Sequence, residues 1–159
     1  MLRRIFLLSA FMAWPVLAED APLLAEFHNN SGSLPPEYAW EVNVSILADG
    51  KLTLRRCTGY ETEGPACKTE NAKVAEDALQ TIRSVVMDSG LFRLPAREAG
   101  GEDIPVGGGV MDGAVYLDGQ KVTLPAFPAK ADAPRVRVVL AAIHAAIPVS
   151  LSERFAEGN

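Results

Sequence analysis

Chemistry-bearing side chains are scarce in this chain, which has two histidines and two cysteines among 159 residues. Cys57 and Cys67 are not spaced as CxxC, and no further cysteine completes a zinc set. No G-x-S-x-G elbow, no S-x-x-K and no GxxxxGK[ST] phosphate loop occurs. The D-x-[DN]-x-[DN]-G pattern of a calcium loop is missing, so Asp103, Asp112 and Asp118 read as solvated loop acids. Glu102 and Asp103 are adjacent, whereas glycoside cleavage needs carboxyls set across a cleft. His28 sits beside a turn with no carboxylate partner assigned to it, and His144 borders the apolar face of a late helix. No catalytic residue, metal or cofactor is expected from these patterns. Basic runs are also missing, and the net charge is −5. That balance argues against nucleic acid and anionic membrane as partners.

Long hydrophobic runs are missing too. The longest, Ile5 to Leu17, has 13 residues where a membrane span needs about 20. Arg3-Arg4 before it and Val16-Leu17-Ala18 after it make residues 1–18 read as a secretory signal peptide. No cysteine follows the cleavage site, which argues against a lipoprotein. Removing this segment takes away two arginines and no acid, so the charge becomes −7. A periplasmic or secreted protein without a stable membrane anchor is the expectation. Residues 19–148 form one expected domain, and 149–159 a polar tail on which Leu151 and Phe155 could dock.

What the chain has in abundance is strand patterning. Trp40, Val42, Val44 and Ile46 alternate with polar residues, Asp49-Gly50 supplies a tight reversal, and Leu52 and Leu54 resume the alternation. This predicts a β-hairpin with one apolar face, on which Trp40 is read as core. A preceding strand is expected over 23–29, with Leu24 and Phe27 turned inward. Ala114–Leu117 and Gln120–Leu124 flank Asp118-Gly119 as a second hairpin. Two helices fit the remaining apolar periodicity. The first covers 72–89, with Asn71 or Thr69 as its cap, Val74, Ala78, Leu79, Ile82, Val85 and Val86 on one face, and Gly90 as its stop. The second starts at Asp132 as cap and buries Val136, Val139, Leu140, Ile143 and Ile147. Between them, Leu91–Pro95 is expected to run extended back to the sheet, and 96–113 to be a Gly-rich loop. The fold class is α+β, a two-layer sandwich of an antiparallel sheet with two helices on one face.

Two cysteines in an exported chain read as one disulfide, Cys57–Cys67, closing a loop that carries Tyr60 and Glu61. Asn29–Ser33 has turn chemistry, and Pro35-Pro36 stiffens the connector that follows. Ser31-Gly32-Ser33 and Tyr60-Glu61 are therefore the candidate binding residues. The segments 29–36 and 57–67 are expected at one end of the sheet, with the Gly-rich 100–109 loop contributing less.

Order and punctuation resemble the emfourin family, small inhibitors of thermolysin-type metallopeptidases. Ser31-Gly32-Ser33 stands where such sequences show Ser-Gly-Gly. A helix ends in Gly90-Leu91-Phe92-Arg93-Leu94-Pro95, similar to their phenylalanine-then-Leu-Pro exit. Tyr116, an Asp118-Gly119 turn and a final helix complete the likeness. The resemblance implies an α+β fold and, as an alternative function, peptidase inhibition. The leading expectation is a non-catalytic exported domain that binds another envelope or secreted protein. The remaining alternative is an enzyme whose residues come together only in the fold.

Overall fold

The computed structural model describes residues 21–59, 66–101 and 108–156. The expected signal peptide, Tyr60, Glu61, Glu102, Asp103 and the docking of Phe155 lie outside the described groups. Six strands form one antiparallel sheet: β1 Leu23–Asn30, β2 Trp40–Leu47, β3 Lys51–Thr58, β4 Ala66–Lys73, β5 Val110–Leu117 and β6 Gln120–Leu124. Their spatial order is β4-β3-β2-β1-β5-β6, so the first strand is central. Three helices follow from the same chain: α1 Glu76–Ser89, α2 Ala133–Ala145 and α3 Val149–Ala156.

Alternation decides which face of the sheet is buried. Phe27, Val44, Leu54 and Leu124 lie in one cross-strand row; Ala25, Ile46, Leu52, Val115 and Val122 lie in the next. All nine are buried, and they form a single core with Leu79, Ile82 and Val86 of α1 and Val136, Val139, Leu140 and Ile143 of α2. Gly113 occupies the first of these rows, opposite Phe27. A Cβ there would meet the Glu26 carbonyl oxygen at 2.4 Å, so a side chain would force the backbones of β1 and β5 apart. Both Asp-Gly pairs sit in hairpin turns, but the turns differ: three residues, 48–50, join β2 to β3, and two, 118–119, join β5 to β6. Gly50 takes a φ of +87° and donates its N–H to the Leu47 carbonyl. Asp118 and Gly119 both have positive φ, the conformation that a two-residue hairpin turn favours.

Five expectations change. Asn71 and Thr69 do not cap α1, because both belong to β4, where Asn71 accepts a hydrogen bond from Thr53 at 2.9 Å. The helix starts after Ala75, which offers no side-chain cap. Leu91–Pro95 is a turn rather than a strand: the Gly90 carbonyl accepts from the N–H groups of Arg93 and Leu94, and Leu91 drops into the core. The Gly-rich segment ends earlier than read, since β5 begins at Val110. Val149–Ala156 is helical, with Leu151 buried.

Asp132 is the fifth. Its backbone is already helical, with φ −95° and ψ −19°, whereas a capping side chain folds back from an extended residue. The carboxylate instead accepts from Arg135 at 2.6 Å, from the Arg97 backbone N–H at 3.1 Å and from the Arg97 guanidinium at 3.2 Å. Arg135, then the Arg97 N–H, draw its pKa down from 3.8 to about 2. Arg135 also donates to the carbonyls of Ser89 and Leu94, so it ties α2 to the C-terminus of α1, where the helix dipole favours a cation.

Candidate functional site

Register brings the connecting segments together. Asn30 pairs with Glu41 and Val110, Trp40 with Thr58, and Thr58 with Ala66. The ends of β1 and β3 and the starts of β2, β4 and β5 therefore share one end of the sheet. The segments 31–39 and 108–109 and Gly59 all meet there.

Local chemistry shapes the first of them. Asn30 accepts the Gly32 N–H at 2.8 Å through its side-chain oxygen, an Asx turn, and Gly32 has a φ of +67°. A Cβ on Gly32 would lie 2.1 Å from the Gly108 carbonyl oxygen, so the two Gly-bearing segments touch backbone to backbone. Ser31 is buried. Its N–H donates to the Trp40 carbonyl and its hydroxyl accepts the Trp40 N–H at 3.1 Å, extending the β1–β2 ladder by one residue. The Gly59 N–H donates to the Ala39 carbonyl and fastens the return strand to the same loop. Ser33 is exposed, as are Leu34 at 41% and Tyr38 at 65%. Asn30, Ser31, Gly32, Ala39, Trp40, Glu41 and Gly59 enclose a hollow of about 130 Å³. That is too small for a typical ligand site of roughly 300–1,000 Å³, and it suits one protruding side chain.

Trp40 is only half-buried, and it lines this hollow instead of the core. It lies on the core-facing side, but two rows beyond Val44, and the intervening row contains Arg56, Lys68 and Asn29. Cys57 and Cys67 are joined by a disulfide. They face each other directly in the β3–β4 ladder, so the bond pins a pair of strands at the base of the 59–65 segment. Arg55 donates to the Cys67 sulfur at 3.1 Å.

Two other hollows differ in character. On the sheet face without helices, Glu26, His28, Glu98, Asp112, Lys121 and Thr123 line a groove of about 300 Å³. His28, read as lacking a carboxylate neighbour, has Asp112 directly opposite and Glu26 two positions before it on the same face. The Tyr116 hydroxyl donates to Glu26 at 2.7 Å, which is the main reason its pKa is raised, and Lys121 lies 5.6 Å from its ring centroid. At the opposite end of the sheet, Pro22, Leu23, Met87 and Leu117, with Arg83, line an apolar cleft of about 600 Å³. Among the described residues no group of three or more His, Cys, Asp or Glu could hold a metal ion. Asp112 lies within β5 and Asp118 in its turn, roughly 20 Å along the strand by its rise per residue. His144 packs on Phe27, with ring centroids 5.8 Å apart.

No protein-family model and no curated protein matches this chain.

The sequence places Ser31, Gly32 and Ser33 at this end and sets Tyr38 and Trp40 among the aromatics beside these loops, without marking either as a binding residue; the Gly108 contact is not legible in it. Tyr38 had one available signal, an aromatic directly after Pro35-Pro36-Glu37 in a connector too short to bury it.

Proposed function

We propose that this chain is a small exported, non-catalytic domain that binds another protein through the loop end of its sheet. The observation that carries this reading is the hollow of about 130 Å³ beside exposed Tyr38 and Leu34, on loops already held by turns. Ser33 stands at the tip, and Tyr60 and Glu61 belong to the neighbouring connector that the disulfide closes at its base. Pre-ordered loops lose little entropy on docking, and tyrosine is among the residues enriched at binding hot spots. The disulfide is compatible with export, which the pattern of residues 1–18 also supports.

The partner is to be captured from an envelope extract, purified, and titrated against variants. Tyr38→Ala or Tyr60→Ala is expected to weaken binding by about 2 kcal/mol with an unchanged melting temperature. If both bind like the parent while a deletion within 100–109 abolishes binding, the surface is wrong. A second reading, inhibition of a thermolysin-type metallopeptidase, follows from the emfourin resemblance. What supports it in the fold is the Asx turn at Gly32, which holds the exposed Ser33 on a fixed loop. Stoichiometric titration of such a peptidase decides it, since unchanged peptidase activity removes this reading and leaves the first intact.

A further inference from the structure

We propose that the free edge of β4 pairs with the same edge of a second copy of this chain, extending the antiparallel sheet across a two-fold axis at Thr69. This inference does not depend on the loop-end reading. β4 is the outermost strand and is hydrogen-bonded to β3 on one side only. Most of its eight residues are exposed. A free edge of that length offers a row of N–H and C=O groups that no strand among the described residues takes up. The other edge of the sheet differs: β6 has five residues, and Gln120 at its start donates to the Phe92 carbonyl of the adjoining turn.

Charge selects the partner. Directly opposed residues of an antiparallel pair point to the same face, so a symmetric pairing must be centred on a residue. Centred on Thr69, Lys68 opposes Glu70 of the second copy and Glu70 opposes its Lys68. Ala66 then opposes Ala72, and Cys67 opposes Asn71. Moving the centre to Glu70 sets two glutamates against each other, and moving it to Lys68 sets two lysines together. Like charges directly opposite are destabilising, so one register stands out among these three. An edge defended by lysine alone would repel every copy of itself; the Lys-Thr-Glu order of residues 68–70 instead makes this edge its own complement. Two short strand edges bury less than the 1,200–2,000 Å² or so of a standard interface. The dimer is accordingly weak, with a Kd on the order of 10–100 μM.

Sedimentation velocity on the purified, oxidised protein, from about 10 μM to about 1 mM, brackets that Kd. The parent is expected to dimerise with rising concentration. Lys68→Glu and Glu70→Lys should each weaken self-association about tenfold, because each replaces two attractive pairs by two repulsive ones. An equimolar mixture of the two single variants should recover the parent affinity, and so should the double variant K68E/E70K. Recovery on mixing also shows that both single variants are folded. A parent that stays monomeric throughout overturns the proposal. So do single variants that dimerise like the parent, or a mixture and a double variant that both remain monomeric.

Discussion

Asp132 has almost no water around it and three nitrogen donors on its two oxygens. It links the segment after α1 to the first turn of α2. Because folding lowers its pKa from 3.8 to about 2, its stabilising effect is fully present above the ordinary value and lost as the pH falls toward 2. Asp132→Asn is therefore expected to lower the melting temperature at neutral pH. The difference from the parent should shrink between pH 4 and pH 2. Thermal unfolding followed by circular dichroism across that range checks it; a difference independent of pH would show that the charge is not what matters. The sequence showed Asp132 as a helix start but could not show its role. Arg97 is 35 positions away, and only the tertiary fold brings it back. Trp40 was misread for a related reason. Its alternation is correct, but how far the helices reach along the sheet is not written in the strand.

Among the elements, the two hairpins were legible because turn chemistry and period-two patterning agree at Asp49-Gly50 and Asp118-Gly119. β4 was not. Its sequence, Ala-Cys-Lys-Thr-Glu-Asn-Ala-Lys, has no large apolar residue, because an edge strand with both faces largely in solvent has nothing to bury. That polar stretch was absorbed into the predicted cap and first turn of α1, and α3 was missed as a tail because it adds one buried leucine. The end of the sheet that carries the candidate site could be read from hairpin connectivity. The contact between Gly32 and Gly108 could not, because it depends on β5 lying beside β1. Besides its ladder and the Thr53–Asn71 hydrogen bond, β4 is held by the Cys57–Cys67 bond, closing a ten-residue separation. Cys67→Ala is expected to reduce stability by about 2–3 kcal/mol through the lost constraint on the unfolded chain. Urea unfolding measures this, and a midpoint unchanged from the parent would contradict it.

At the scale of the whole molecule, no helix among the described residues is long and apolar enough to cross a membrane. If residues 1–18 direct export, mass spectrometry of the mature protein should find Glu19 as its first residue. A chain recovered with Met1 in the membrane fraction would count against export by cleavage. The strand order has a consequence for how such a chain acquires its structure. β1 to β4 form a meander of neighbours, but the seam between β1 and β5 joins residues 80 to 90 positions apart. A chain emerging from its N-terminus can zip the first four strands early, because their loops are short to close. It must then wait for β5 while the edge of β1 stays bare. The most aggregation-prone interval in the life of this protein thus falls before Val110 arrives, when its most central strand is still an edge.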